Sequence, residues 1–331
     1  MISIFWKIQR VKNNFMTVNN LIEDRDITAV IQGPLYLDDH TKGADIIQCI
    51  KCIKNVLPGS QIIISTWMNE KKHHKRLMPI VNKIIYSEQP SAILSYDVPN
   101  NVKRQIVSSK AGLNKVKTKY SLKLRANTLL KEKSEFFANP GNKINIPALV
   151  SDPVYSFSLF GLPDFLQFGK TDRIRKFWDV DISDEDEFLN SAYQSIFDIY
   201  SFPHSFKFSP EQYIGISWAK NEYKSIPLIK HQFDVNYSDF LFWKDILISD
   251  FTLVPLKVMG FVFVPERYTF GRFLDANNLW ITRASRIQFI HLLINKYVLF
   301  FLNRKWWVHL AKLSVYTFSK SLFWSIYKAG K

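Results

Sequence analysis

Cysteine is scarce in this sequence of 331 residues, which contains only Cys49 and Cys52. Two cysteines cannot build a disulfide framework, and no second pair is present to complete a zinc site with their Cys-x-x-Cys spacing. Cys49 also falls on the apolar face of a helix predicted over residues 42–57, where a free thiol packs as a small hydrophobic group. We therefore expect a reducing, intracellular setting.

Long uninterrupted apolar runs are also missing. No stretch reaches the length of about 20 apolar residues that a transmembrane helix needs. The apolar start of the chain is interrupted by Lys7 and Arg10, and no small-residue cleavage site follows it. The pattern is therefore not that of a secretory signal.

Acidic residues are absent after Asp275, whereas residues 276–331 are rich in basic and aromatic side chains. Such a composition is typical of a helix at a membrane interface, with apolar surface below and cations against anionic headgroups. We predict a basic, aromatic, amphipathic helical tail that contacts an anionic membrane surface through residues 283–331. The alternative is a helical cap on the sheet whose outer face is simply charged.

The formal net charge of +15 favours anionic partners. Nucleic acid, an acidic membrane surface and phosphorylated small molecules all fit this charge. Much of the excess lies in the aromatic tail, and no recognised nucleic-acid motif is visible. We therefore expect no nucleic-acid partner.

Predicted strands and helices alternate between residues 26 and 130. In order, they are strand 27–31, helix 42–57, strand 61–67, a basic helix with His73 and His74, strand 81–86, a helix from about residue 100, and a strand from about residue 121. This alternation is typical of a doubly wound α/β sheet. We divide the chain into a leader (1–25), an α/β domain (26–275) and the helical tail (276–331).

Ligands of such sheets bind at the carboxyl ends of the strands. The first strand ends in Gln32, Gly33 and Pro34, and the second turns polar at Thr66. The loops after these two strands are therefore candidate binding loops.

The stretch 100–130 carries the strongest pattern. Asn100 or Asn101 can cap a helix, on which Arg104, Ser108 and Gly112 form one stripe at a spacing of four residues. In the strand that follows, polar residues alternate with apolar ones, the period of a strand with one apolar face; the polar ones are Ser121, Lys123, Arg125 and Asn127. Two cations and an amide at the end of a strand suit an anionic ligand such as a phosphate.

Further along, Asp164 stands at the start of a predicted short strand, and Glu211 follows Ser209 in the first turn of a predicted helix. Glu211 fits either the positive end of that helix or an active-site acid. Thr171 is predicted to cap a helix that ends at Trp178, and Ser183 to cap a helix that opens with residues 184–187.

Four motifs in order resemble the WavE lipopolysaccharide-synthesis family. They are Val30-Ile-Gln-Gly-Pro34, Ile64-Ser-Thr-Trp67, Asn101-Val-Lys-Arg-Gln-Ile-Val-Ser-Ser109 with Gly112-Leu113, and Tyr120-Ser-Leu-Lys-Leu-Arg125. The resemblance is good over residues 27–130 and weaker around Asp164 and Glu211. It implies a doubly wound mixed sheet of the GT-A type and a glycosyltransferase that acts in the synthesis of bacterial surface polysaccharide or lipopolysaccharide.

The resemblance also implies a site and its partners. The donor would be a nucleotide sugar, the acceptor a saccharide or lipid-linked saccharide, and the location the cytoplasmic face of the bacterial cell membrane. Expected donor and phosphate contacts come from Gln32, Gly33, Pro34, Thr66, Arg104, Ser108, Lys123, Arg125 and Asn127. An inverting transfer needs a carboxylate to accept the proton of the acceptor hydroxyl. Asp164 and Glu211 are the candidates, and Asp164 is preferred because it starts a strand that could edge the pocket.

One position departs from the family pattern, which usually reads Arg-Ser-Asp where this chain has Arg125-Ala126-Asn127. The family motif would hold a divalent metal, Mn²⁺ or Mg²⁺. Because Asn127 offers a neutral oxygen in place of a carboxylate, we expect weaker metal affinity there and a larger share of the phosphate charge on Arg104, Lys123 and Arg125. The alternative function is a non-catalytic nucleotide-sugar-binding or scaffolding protein of the same pathway.

Overall fold

A computed structural model provides the structure of the chain. It describes residues 21–37, 44–95, 98–147, 159–181, 208–229, 237–254 and 259–263. The predicted Ser183-capped helix and the predicted membrane-contacting tail lie outside the described residues, as does most of the leader. Among the described residues, Leu21 forms an isolated antiparallel bridge with Ala138, so the end of the leader packs on the body of the domain.

A mixed sheet of seven strands forms the centre of the fold. Its strands are β1 (Ile27–Gln32), β2 (Gln61–Trp67), β3 (Lys83–Ser87), β6 (Tyr120–Arg125), β8 (Ile144–Pro147), β9 (Leu166–Lys170) and β10 (Phe251–Val254). Their order across the sheet is β10-β8-β9-β6-β1-β2-β3. β9 runs antiparallel to both of its neighbours, β6 and β8, whereas the other pairings are parallel. The predicted doubly wound mixed sheet is therefore confirmed.

Two short pairs complete the described strands. β4 (Ile93–Ser95) pairs with β5 (Val98–Asn100), and β7 (Thr128–Leu130) pairs with β11 (Phe261–Phe263). The described α-helices are α1 (Ile46–Val56), α2 (His74–Leu77), α3 (Val102–Leu113), α4 (Thr171–Trp178), α5 (Pro210–Glu222) and α6 (Tyr237–Asp250).

Each face of the sheet has its own apolar core, because alternate residues of a strand point to opposite faces. Ile31 and Ile64 pack with Leu124 and the α1 residue Ile50 on one side. On the other side, Val30 and Ile63 pack beneath α3, α4, α5 and α6. The central strands are buried on both faces, which explains the continuous runs of β-branched residues in β1 and β2.

Several predicted boundaries shift in the structure. Helix α1 begins at Ile46 rather than near residue 42, because the carboxylate of Asp45 accepts a hydrogen bond from the Gln48 amide. The predicted strand 81–86 forms at Lys83–Ser87. The Thr171 cap is a correction: Thr171 is the first residue of α4, and its hydroxyl bonds the Thr118 carbonyl and Ser121 Oγ instead of helix amides. The Thr171 hydroxyl therefore bonds residues that are distant in sequence, whereas the local pattern predicted a bond to the amides of its own helix.

Gly112 brings α3 into close contact with the sheet. A Cβ atom at this position would lie 2.6 Å from Val30 Cγ1 and 2.9 Å from Ser65 Cβ, well inside van der Waals contact. Ser65 Oγ also donates a 2.6 Å hydrogen bond to the Ser108 carbonyl oxygen one turn earlier. A larger residue at Gly112 would therefore push the helix away from β1 and β2.

We predict that Gly112→Ala destabilises the fold by about 1–3 kcal/mol through overpacking, although the same change in an exposed helix stabilises by about 1 kcal/mol. Urea denaturation measures the free energy of unfolding. Val107→Ala, on the exposed side of the same helix, is the control and should change stability by less than about 1 kcal/mol. A stabilising effect of Gly112→Ala would contradict the close packing.

Candidate active site

The carboxyl ends of β1, β2 and β6 meet at one edge of the sheet. Gln32, the last residue of β1, stands beside Ser65 in β2 and beside Arg125 in β6. Antiparallel β9 begins at this same edge, so Asp164, two residues before β9, lies next to Arg125. The topology therefore gathers polar residues that are far apart in sequence.

An ion pair between Arg125 and Asp164 is central to this edge. Arg125 Nη2 donates to Asp164 Oδ2, and the Arg125 backbone amide donates to the Phe165 carbonyl oxygen at 3.2 Å. Asp164 is 1% exposed, whereas the Arg125 side chain is 28% exposed. A buried carboxylate needs such a partner, because desolvation of an unpaired charge is costly. The pair therefore holds Arg125 in place with part of its guanidinium open to solvent.

One carboxylate oxygen of this pair has no described partner. Asp164 Oδ1 is buried and receives no hydrogen bond among the residues that the structure describes. Buried polar atoms are usually satisfied, and an exception calls for a strain, ligand or functional explanation.

Lys123 is completely buried beneath Asp164. Its Nζ atom donates to the Asp164 backbone carbonyl oxygen and lies 4.2 Å from the centre of the Trp178 ring. Trp178 is itself oriented by a 2.6 Å hydrogen bond from Nε1 to Gln167 Oε1. Burial lowers the pKa of Lys123 to about 7; the Asp164 carboxylate opposes this shift and the Arg125 guanidinium adds to it.

Glu211 joins the same charged cluster from α5. Ser209 Oγ caps that helix by accepting the Gln212 amide at 3.1 Å, so the helix start does not depend on Glu211. The pKa of Glu211 is raised to about 6, first by burial and second by the nearby Asp164 carboxylate. Hydrogen bonds from its own backbone amide and from Ser209, together with the Arg125 charge, oppose the rise. Asp164, Arg125 and Glu211 therefore interact electrostatically.

The loop after β1 is tied to β2 and α3. Ser108 Oγ donates to Gln32 Oε1 at 2.6 Å, and the Gly33 amide donates to the Ser65 carbonyl oxygen at 3.0 Å. Gly33 has a φ of +107°, a left-handed conformation that suits glycine, and no atom of the described residues lies within 4 Å of the position a Cβ would take. This leaves room beside the backbone at the end of β1.

Glu70 fastens the next part of this loop, a role that the sequence did not indicate. Both of its carboxylate oxygens accept from the Leu35 amide, at 3.1 and 3.0 Å, and Thr66 Oγ1 donates to Glu70 Oε2 at 2.6 Å. The carboxylate thereby joins the loops after β1 and β2. The spacing of four residues between Thr66 and Glu70 could have indicated their contact. Nothing in the sequence indicated the contact with the Leu35 amide, which is 35 residues away.

The predicted donor residues fall into two groups. Thr66, Ser108, Gln32 and Lys123 are buried, and protein groups bind their polar atoms. The geometry gives these four a supporting position behind the edge.

Among the remaining predicted residues, the Gly33 backbone is buried. Pro34 is exposed, and Arg125 and Asn127 are partly exposed. Arg104 donates from Nε to the Pro90 carbonyl oxygen at 3.0 Å and from Nη1 to Asn101 Oδ1 at 3.0 Å, so it braces the loop after β3. Trp178 and Gln167, which orient Lys123, were missed because the sequence pattern assigned them only to a helix and a strand.

The described residues do not fit a divalent metal. No three His, Cys, Asp or Glu side chains come together in the part of the chain that the structure describes. Asn127 supplies a neutral amide, and the Asp164 carboxylate is already paired with the Arg125 guanidinium. Hard divalent cations prefer carboxylate oxygens without competing cations, so we assign no step to a metal.

The fold and this edge define a doubly wound α/β protein with a buried charge cluster where its strands end. The family described as WavE lipopolysaccharide synthesis matches residues 27–326. The chain therefore belongs to the WavE family, which acts in lipopolysaccharide synthesis. A comparison with curated protein sequences gives no match.

Among solved structures, 4-diphosphocytidyl-2C-methyl-D-erythritol synthase from Anaerococcus prevotii DSM 20548 is similar with a TM-score of 0.31 and 14% identity. The alignment covers 49% of this chain and 79% of that one. A likeness of this size carries no argument about function. No helix among the described residues has the length and apolarity needed to cross a membrane.

We predict that Lys123 makes stability rise with pH between about 7 and 10.5. In this window the folded chain has released the lysine proton, whereas the unfolded chain, with an ordinary pKa of 10.5, still binds it. Stability increases with pH wherever the unfolded state binds more protons. Urea denaturation of the native protein and Lys123→Met across this range should show a native-minus-variant difference that grows with pH. A constant difference would contradict a neutral buried lysine.

Proposed function

We propose that this protein is a glycosyltransferase that uses a nucleotide-sugar donor, with its site at the carboxyl edge of the sheet. The observation that carries the proposal is the ion pair of Arg125 with buried Asp164 beside the loop Gln32-Gly33-Pro34. Sugar transfer from a nucleoside diphosphate requires a fixed positive charge for the departing diphosphate. Arg125 provides one on a rigid strand.

The donor would lie across the ends of β1 and β6. Open space beside the Gly33 backbone admits the nucleotide, and the partly exposed guanidinium of Arg125 meets the diphosphate. An arginine suits this role because its planar fork binds phosphate oxygens in pairs. Lys123 is buried behind the ion pair. Its Nζ atom donates to the Asp164 backbone oxygen and so keeps Asp164 aligned with Arg125.

Glu211 is the better candidate for the base, and Asp164 for a positioning residue. Asp164 forms an ion pair with Arg125 and is 1% exposed, whereas Glu211 is only partly buried. A base with a pKa near 6 is deprotonated at neutral pH yet retains proton affinity.

In an inverting transfer, the acceptor hydroxyl oxygen attacks the anomeric carbon of the donor sugar as its proton passes to Glu211. The bond between that carbon and the diphosphate oxygen breaks, and its electron pair leaves with the diphosphate. Arg125 stabilises the charge that develops on the leaving group. The atoms balance without a further reactant.

A non-catalytic binder is the second candidate, because Asn127 stands where the family motif carries an acid. The two functions share donor binding and differ in turnover. Stoichiometric donor binding without transfer or hydrolysis of the sugar, across a panel of acceptors, would favour the binder.

We predict that Arg125→Gln weakens donor binding by at least about tenfold, since the diphosphate loses a charge-assisted contact of about 1.5–3 kcal/mol. Thermal shift and titration calorimetry with a panel of nucleotide sugars measure this. Arg173→Gln is the matched control: Arg173 is also partly buried and pairs with the carboxylates of Glu222 and Asp250, but in contacts among α4, α5 and α6.

Both variants should lose stability, and only Arg125→Gln should lose donor affinity. Equal donor affinity in Arg125→Gln and the native protein would overturn the placement of the site. If no nucleotide sugar binds the native protein, the transferase proposal fails.

We predict that transfer declines below about pH 6, because Glu211 must be deprotonated to accept the hydroxyl proton. Asp164→Asn removes a neighbouring negative charge, so the Glu211 pKa and the acid limb of the kcat/KM profile should move to lower pH. Glu211→Gln should abolish transfer while donor binding persists. An acid limb that stays in place in Asp164→Asn would argue against Glu211 as the titrating base.

A further inference from the structure

A second cationic surface lies beside the proposed site, on the segment 68–78. This segment reads Met-Asn-Glu-Lys-Lys-His-His-Lys-Arg-Leu-Met and includes four cations, Lys71, Lys72, Lys75 and Arg76. All four are exposed. Between residues 68 and 87 the single acidic residue is Glu70, whose carboxylate is held by the Leu35 amide and the Thr66 hydroxyl. Among the described residues, Lys71, Lys75 and Arg76 therefore present positive charge to solvent.

The position of the segment follows from the topology. It begins directly after Trp67, the last residue of β2, at the edge where the proposed site lies. His74 Nδ1 is within 3.1 Å of the Tyr86 hydroxyl, near the carboxyl end of β3, so the cations stay at this end of the sheet. Glu70 links the segment to the loop after β1. A surface that touches the segment would therefore face the site.

Apolar side chains flank the cations. Met68 is 40% exposed and Met78 is 37% exposed, and these two are among the few large apolar residues that are exposed in the described part of the chain. Exposed apolar groups together with lysine and arginine are the combination that a membrane interface binds. The apolar groups enter the headgroup region, and the basic groups contact anionic lipids. Nucleic acid would use the cations but not the methionines.

We propose that segment 68–78 docks on an anionic lipid surface and turns the carboxyl edge of the sheet toward the membrane. The partner is the anionic bilayer itself, which offers the phosphate charge and the apolar depth that this segment matches. The surface would act in addition to any contact that residues 283–331 make. The orientation of the active site rests on the proposed function, whereas lipid binding by the segment does not.

The test is sedimentation of the full chain with phosphatidylcholine vesicles that contain or lack phosphatidylglycerol. A variant with Lys71→Gln, Lys75→Gln and Arg76→Gln removes three cations that have no ion-pair partner among the described residues. Each basic residue near an anionic surface strengthens binding by about fivefold, so partitioning onto anionic vesicles should fall by at least about tenfold. Higher salt should weaken binding by the native protein.

The matched control carries Lys54→Gln, Lys115→Gln and Lys117→Gln. It loses the same charge from exposed positions near the opposite edge of the sheet, where α1 ends and β6 is about to begin. It should bind anionic vesicles nearly as well as the native protein. Because vesicle binding needs no donor, failure of the nucleotide-sugar titration would not affect this result.

Three outcomes would overturn the proposal. One is equal vesicle binding by the Lys71/Lys75/Arg76 variant and the control, which would assign lipid binding to other residues. A second is that the Lys71/Lys75/Arg76 variant loses binding to duplex DNA while its vesicle binding stays unchanged, which would indicate a nucleic-acid surface. A third is weaker binding of free nucleotide sugar with vesicle binding unchanged, which would make the segment part of the donor site.

Discussion

The ion pair of Arg125 with Asp164 is the constraint on which the site depends. A carboxylate that is 1% exposed needs a cation, and the removal of one partner from a buried pair costs about 3–5 kcal/mol. Asp164 also holds Lys123 through its backbone oxygen and raises the pKa of Glu211. Asp164 thus holds the Arg125 side chain at the end of its strand, positions the buried Lys123 and raises the pKa of Glu211.

The mixed sheet makes this arrangement possible. Parallel strands bring their carboxyl ends together, and the reversed direction of β9 delivers Asp164 to that edge rather than to the opposite one. Behind the edge, Ser108, Ser65 and Gln32 hold the first loop on the strands, with Gly112 allowing α3 to lie close. Rigid elements therefore support the charged groups from behind, as a preorganised site requires.

The sheet strands β1, β2, β3 and β6 and the helices between them could be predicted from sequence, because each carries its own local pattern; the short strands β4, β5 and β7 were not predicted. Lys123 and Arg125 were singled out for the same reason: their alternation with leucines places them on one face of a strand. The pairing of Arg125 with Asp164 joins residues 39 apart, and no local pattern reports such a contact. Glu70 was missed because its partner, the Leu35 amide, has no sequence signature. Thr171 was assigned to a cap because its contacts with Thr118 and Ser121 depend on the packed sheet.

By itself, the sequence determined the α/β alternation, the strongly basic charge and the membership of the WavE family, since these reside in composition and in contiguous motifs. Tertiary structure decided which polar residues support the site and which can meet a ligand. Lys123 and Arg125 stand two residues apart on one strand, yet the first is buried against Trp178 and the second reaches solvent. Burial and charge pairing arise from segments that meet only after folding, so the pKa values and roles of these side chains follow from the packed structure.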